Sequence, residues 1–500
     1  MSSKRAGPFL LLAALELAVF APFAWRMGFY HDDWINLERL HDAGSLWGGI
    51  KYYAGLVLER PAESLQYPLL FALGGLHPLP YQLFYLAAEI LEGWLIFVLL
   101  SRLTKSETLA LLSSALILIF PTHAITHLWL SSSAMIVTVD LTLASLILHL
   151  RWVEKKKKSD LAWSQFLYLF GVLNYEIAAF LPLMLFGGLL ARDLAEKRKS
   201  SLKILIVEFL PYAGSLALAL AWQRAVVSLI LHRNPRAVGF SAAHAVRAYE
   251  AGFECATNRV VDVVHRMTPV AWEGLGSSAV LGALLLSVAA FWVWSSRTDA
   301  GRTARAARWS ALGAAVGAFL GAVAPFAASA DYMPMVFGVM SRTNGVIALS
   351  GGIFWACGLD FLASRSRTAA GVVLAVIVGG MALGDWGNSL QWARAWTLQQ
   401  DIVGQLVPRT KDLPSPAMIL LSDAPDTIEP GGALAFGAHW DIGPALRLST
   451  GRKDIAADVV WPQTRFAKDG VELRPGIRYD YPVYLYSYAN GSLEKLTGPR

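Results

Sequence analysis

Charge is what this 500-residue chain has least of: Asp, Glu, Lys and Arg make up 16% of it, while 55% is hydrophobic. Soluble domains carry about 25% charged residues. The deficit is concentrated in apolar runs of ~20 residues, enough to cross ~30 Å of hydrocarbon as helix, and it excludes a single large soluble body. Alternating strands of a membrane barrel are also absent, so the spanning elements are helices. Cysteine is nearly missing. Only Cys255 and Cys357 occur, one in a loop and one in an apolar run, which excludes a disulfide framework. There is no Gly-rich phosphate loop of nucleotide type and no internal repeat at periods of 20–50 residues.

What is present is an all-α polytopic membrane protein with a small C-terminal α/β domain. The hydrophobic pattern gives about eleven spans, at 8–25, 80–101, 107–124, 134–152, a short 161–174, 177–191, 203–231, 277–296, 309–329, 343–363 and 368–386. Every second loop is basic: Lys4 and Arg5, Arg102 and Lys105, Arg151 with Lys155 to Lys158, Arg192 to Lys203, Arg297 to Arg308, and Arg365 with Arg367. Basic short loops mark the cytoplasmic side, so the net charge of +6 reflects topology and calls for no nucleic-acid partner. The first run is read as an uncleaved span with a cytoplasmic N-terminus, because no small-x-small cleavage site precedes Arg26. The expected location is a bacterial inner or plasma membrane.

Three segments then face the opposite, extracytoplasmic side: a first loop at 26–79, a second at 232–272, and a C-terminal domain at 387–500 following a membrane module at 1–386. "LLFALGGLHPLPY" in the first loop is apolar yet too short to span, the mark of an interfacial or re-entrant helix. The C-terminal part opens with a Pro-rich linker from Pro408 to Pro430. A strand Ala417–Leu421, a helix around Ala433–Leu448, a strand Ala456–Trp461 and a hairpin turning at Asn490-Gly491 follow.

Ionisable residues beside a bilayer are costly and are functional candidates for that reason. They gather at the outer ends of the spans. "FYHDDW" places His31, Asp32 and Asp33 after the first span, His123 follows the third, Glu176 stands between the fifth and sixth, and Arg342 precedes the tenth. Arg342 lies on the outer face against the basic-inside trend, which favours an anionic partner. Arg233 and Arg236, at the start of the second outer loop, compete for that role.

The order of these stretches resembles a known family. "FYHDDW" looks like the first-loop aspartate motif of GT-C-fold glycosyltransferases, which use polyprenyl-phosphate sugars. "RPAESLQYPLLFALGGLHPLPYQLFYLAAEILEG" (Arg60 to Gly93), "FPTHAITHLWLSSS" (Phe120 to Ser133) and "NYEIAAFLPLML" (Asn174 to Leu185) resemble motifs of its O-mannosyltransferase-like branch. Ile125, Ser133, Tyr175 and Glu89 depart from that pattern. The resemblance implies a membrane glycosyltransferase that moves a sugar from a lipid phosphate to an acceptor hydroxyl (on a glycan, lipid or protein). It makes Asp32 the general base, with Asp33 orienting it or, together with Glu176, holding a divalent cation such as Mg or Mn. His31, Arg60, His123, Glu176, Arg233 and Arg342 are the candidates for binding donor and acceptor.

The chemistry asks for the same residue types without the family. A carboxylate within hydrogen-bond reach of a hydroxyl is a general base, and a guanidinium fits phosphate better than an ammonium does. The competing structural reading is an Asp cap on a helix starting at Trp34, which explains one Asp and not both. Glu176 at a helix boundary and His123 as a packed imidazole have similarly plain readings. Two other function classes stand beside the enzyme. A lipid or sugar transporter or flippase would show repeats and midplane polarity, and a non-catalytic relative would bind lipid-linked sugar only. The topology is testable: a cysteine replacing Lys51 reacts with an impermeant maleimide in intact cells, and one replacing Lys157 reacts only after permeabilisation.

Overall fold

The computed structural model describes residues 3–197, 202–230, 241–297, 303–329 and 332–498. Helix α1 (Ser3–Phe20) is followed by three short helices, α2 (Asp32–Ala43), α3 (Leu46–Leu56) and α4 (Glu63–Gly74). Next come α5 (Pro78–Thr104), α6 (Glu107–Leu118), α7 (Ser133–Lys155), α8 (Lys158–Val172), α9 (Pro182–Ala195) and α10 (Leu202–Ala225). The second half holds α11 (Ala242–Ala256), α12 (Arg259–Leu275), α13 (Ser277–Ser296), α14 (Arg305–Ala327), α15 (Gly345–Ala363) and α16 (Arg367–Thr410).

Among the described residues nine helices are long and apolar enough to cross a membrane, and the chain is an integral membrane protein. They coincide with nine of the expected spans. The other two are the helices α6 and α8, of 12 and 15 residues, each short of the ~20 needed to cross alone. The loop at 26–79 is mostly helical, α2 to α4 being joined by short turns. In α4 the apolar Leu65, Leu69 and Leu73 are exposed at intervals of four residues, one stripe of a helix lying along an interface. The loop at 232–272 contributes α11 and α12. Both cysteines are buried and free.

The tightest helix pair is α9 with α14. On α14, Gly313, Gly317 and Gly321 recur every fourth residue, and a Cβ on Gly317 would sit on the carbonyl oxygen of Leu183. Small residues at this spacing let backbones touch where lipid offers no hydrophobic drive. Glu176, just ahead of α9, is thereby held at a fixed height.

The boundary expected at 386 falls inside α16, whose 44 residues extend roughly 66 Å. This helix leaves the apolar bundle without breaking and carries the C-terminal domain on its end. Composition changes where a helix emerges from the apolar region, not where it stops, and Pro408 sits harmlessly in its last turns. The domain has strands β1 (Ala417–Ser422), β2 (Thr427–Ile428) and β3 (Ala433–Leu434), helix α17 (His439–Thr450), then β4 (Ile455–Val459), β5 (Arg465–Phe466), β6 (Gly470–Arg474), β7 (Ile477–Asp480), β8 (Val483–Ser487) and β9 (Ser492–Leu496). The main sheet has the order β4-β1-β8-β9. The first three strands are parallel, and β8 and β9 form the antiparallel hairpin at Asn490-Gly491. The expected helix at Ala433 begins instead as β3 and becomes helical only at His439.

Helix α17 docks on α2. Arg447 forks onto both carboxylate oxygens of Glu38, Nη2 to Oε2 at 2.8 Å, and Lys453 pairs with Asp42 at 2.9 Å. The exposed lysine pair contributes little, whereas the half-buried fork is of the stronger kind. In a double-mutant cycle of Arg447→Ala and Glu38→Ala, read by thermal unfolding, a coupling of about 1 kcal/mol is expected. Additive losses would show that the fork does not join the two elements.

Candidate active site

The site starts from the backbone at Tyr30. Its hydroxyl donates to the Trp392 carbonyl on α16 at 2.9 Å, and His31 follows with φ +50°, a left-handed turn that aims the chain into α2. The Asp33 N–H donates to the Tyr30 carbonyl, and Asp33 Oδ2 accepts from the Tyr30 N–H at 2.9 Å. The carboxylate thus ties the start of α2 back to the chain ahead of it, without capping an N–H of the helix itself. Asp33 Oδ1 accepts from both the N–H and the hydroxyl of Ser131, at 2.9 and 2.6 Å. These bonds occupy one of the two acids. Asp33 is fully buried, and burial pushes its carboxyl up to about 7 against the opposing pull of the Ser131 and Tyr30 hydrogen bonds.

Asp32 is left for other work. Its side chain is 45% exposed and lines a cavity of about 600 Å³ together with Arg60, Glu63, Glu176 and Arg342. Burial disfavours its charge, but the His31 hydrogen bond and the charges of His31, Arg342 and Arg39 outweigh that and hold the carboxyl below its usual range. Two adjacent carboxylates therefore have opposite ionisation tendencies, set by burial for Asp33 and by the His31 pairing for Asp32. His31 Nδ1 lies 2.7 Å from Asp32 Oδ1 and 2.9 Å from Trp440 Nε1 on α17. One ring nitrogen serves one of them at a time: protonated it donates to Asp32, bare it accepts from Trp440.

The two arginines differ. Arg60 grips Glu176 with two bonds, Nε to Oε2 at 2.9 Å and Nη2 to Oε1 at 2.5 Å. It also stands 3.6 Å from Glu63 and lies over the Tyr175 ring at 4.3 Å. Burial raises the Glu63 carboxyl to about 7, with Arg60 opposing. Arg342 makes no ion pair among the described residues and rests on the face of Trp129 at 4.6 Å. The cavity is also lined by the apolar Phe180, Leu216, Leu220 and Phe326. Leu220 on α10 is 47% exposed, so this lining reaches the flank of the bundle.

Four sequence candidates (Asp32, Arg60, Glu176 and Arg342) thus share one cavity. His31 stands beside it, bonded to Asp32. His123 does not line it; the ring is buried and faces a separate void of about 10 Å³, the size of one water, bounded by Glu89, Glu92 and the far side of Arg342. Arg233 lies outside the described residues, as does Arg236. The donor set does not fit a divalent cation on Asp33 and Glu176. Both Asp33 oxygens hold backbone donors and both Glu176 oxygens hold Arg60. Among the described residues no three His, Cys, Asp or Glu side chains gather as a metal site.

Sequence reasoning missed Glu63, Ser131, Trp129 as a platform, and Trp440. Glu63 was findable, three residues after Arg60 on an incipient helix. Trp440 was not, since 409 residues separate it from His31.

No protein-family model matches the chain, and no curated protein matches it. Among solved structures it is similar to ArnT from Cupriavidus metallidurans bound to undecaprenyl phosphate, with a TM-score of 0.45 and 12% identity over 91% of this chain and 86% of that one. The apo state of ArnT from the same organism gives a TM-score of 0.43 and 12% identity, over 92% and 87%. A likeness this loose assigns neither fold nor chemistry, which rest on the residues themselves.

The two acids are separable by experiment. Asp33→Ala leaves Tyr30 and Ser131 without their acceptor and should cost about 2–4 kcal/mol, from up to three charge-assisted hydrogen bonds of unequal value. Asp32→Asn should cost much less, since it loses only the half-exposed contact with His31. Equal destabilisation by both would remove the division between them.

Proposed function

We propose that the chain is a membrane glycosyltransferase of GT-C type, transferring a sugar from a polyprenyl-phosphate donor to an acceptor hydroxyl, with Asp32 as general base. The observation that carries this reading is the mixed lining of one cavity. The half-exposed Asp32 carboxylate and the Arg342 guanidinium, which makes no ion pair among the described residues, line the same cavity as the apolar Phe180, Leu216, Leu220 and Phe326. An amphiphile with an anionic head and a hydrocarbon tail is complementary to both kinds of lining. The basic loops support placing this cavity on the extracytoplasmic side, with the C-terminal domain beside it.

In this mechanism the donor phosphate rests on Arg342, whose planar fork suits phosphate oxygens, while the isoprenoid lies along Phe180, Leu216 and Leu220. The acceptor hydroxyl reaches Asp32. As its oxygen bonds to the anomeric carbon, its proton passes to the Asp32 carboxylate. The electron pair of the breaking carbon–oxygen bond stays with the phosphate, which Arg342 stabilises as it departs. Arg60, already clasped by Glu176, orders the cavity wall.

Purified protein in nanodiscs, supplied with radiolabelled polyprenyl-phosphate sugars and membranes as acceptor, tests this. Asp32→Asn should lower kcat by 10²–10⁴-fold, and Arg342→Gln should raise KM for the donor. Transfer by Asp32→Asn at the wild-type rate overturns the assignment. Transport of the same lipids across liposomes without sugar transfer replaces the enzyme with a flippase.

The pH profile discriminates further. A carboxyl held below its usual range stays ionised as pH falls through about 4, so the rate should keep its plateau down to that point. The stability contributed by the Asp32 pairing follows the same sign: present above the unfolded value, lost as pH falls through the folded one. An acid limb near pH 7 would transfer the base role to Asp33 or Glu63, each raised to about 7.

A further inference from the structure

We propose that the C-terminal domain carries a crevice that binds a neutral saccharide, separate from the membrane cavity. Strands β4, β1 and β8 run parallel, so their carboxyl ends share one edge of the sheet. Ligands of open α/β sheets bind in the crevice beyond such ends. At this edge lies a cavity of about 300 Å³, between the main sheet and the small β5–β6–β7 sheet.

One wall of the cavity is a set of oriented polar groups. Asp423 Oδ2 accepts from the hydroxyls of Ser422 at 3.0 Å and Ser487 at 2.8 Å, and Asn490 Nδ2 donates to the Ser487 oxygen at 3.2 Å. Both hydroxyls address the same carboxylate oxygen, so Oδ1 keeps its acceptor capacity, as do the Asn490 amide oxygen and the hydroxyl lone pairs. Beside these polar groups the lining turns apolar, with Leu485 two residues before Ser487 on the same face of β8 and with Val460 and Phe466.

A sugar presents the matching pair of surfaces: ring hydroxyls that donate and accept, and a face of C–H groups. Other ligand classes fit less well. The charges on the wall, Asp423 and Glu494, are both negative and oppose phosphates and nucleotides. An apolar ligand would strand the hydroxyls and the amide without water, at a cost for each. The volume stands at the lower end of ligand cavities, suited to one or two sugar units. The role of this site as a holder of a remote unit of a glycan acceptor rests on the proposed transfer reaction; binding itself does not.

The test uses the full chain in nanodiscs, titrated with glucose, galactose, mannose, N-acetylglucosamine, maltose and lactose, and read by saturation-transfer NMR and calorimetry. Binding of at least one of these is expected, weakened tenfold or more by Asp423→Asn and by Ser487→Val at unchanged unfolding temperature, and unaltered by Asp32→Asn. Asn490→Ala replaces either variant that fails to fold. Absence of binding by every sugar up to about 10 mM, or binding indifferent to these substitutions, overturns the proposal. So does calcium chloride binding that is lost in Asp423→Asn while no sugar binds. Sugar binding without transfer defeats the proposed enzyme and leaves the crevice, and transfer without sugar binding does the reverse.

Discussion

The buried carboxylate of Asp33 is the point on which the site depends. A carboxyl removed from water is tolerable only when it is hydrogen-bonded, and Asp33 draws its donors from two separate segments, Tyr30 ahead of α2 and Ser131 ahead of α7. The same junction places Trp129, whose indole N–H donates to the Tyr30 carbonyl at 2.9 Å and whose face supports Arg342. One acid therefore braces the segments that carry both Asp32 and Arg342's platform. The bonds to Tyr30 and Ser131 are taken by Asp33, and the neighbouring Asp32 faces the cavity.

The C-terminal domain belongs to this arrangement through α16. That helix is continuous from the apolar bundle to Thr410. Along it, Trp392 receives the Tyr30 hydroxyl, and Gln399 accepts the Trp34 indole N–H at 2.8 Å. The domain it carries returns α17 to α2, where Arg447 holds Glu38 and Trp440 reaches His31. A shift of α17 is thus felt at the hydrogen bond that keeps Asp32 ionised.

The sequence displayed the spans well, because ~20 apolar residues admit few other structures. It also displayed the polar residues at their ends, because charge there is conspicuous. The hairpin at Asn490-Gly491 was legible from its turn chemistry. The strands β5 to β7, two to five residues long, are too short to show a period. The assembly of Asp32, Arg60, Glu176 and Arg342 into one cavity could be expected only from a shared side of the membrane. Its combination of charged and apolar lining is a matter of packing that no local pattern encodes.

The difference between the two arginines follows from charge compensation. Arg60 faces Glu176 and Glu63, so its positive field is cancelled within the wall it belongs to. An incoming anion would have to compete with carboxylates already in bidentate contact. Arg342 instead rests on an indole face, which attracts a cation without neutralising it, and its field extends into the cavity as far as Asp32. A guanidinium on the side of the bundle away from the basic loops, stacked and without an ion pair among the described residues, leaves a net attraction for an anion at that point. That field adds to the stronger pull of His31 in holding Asp32 ionised.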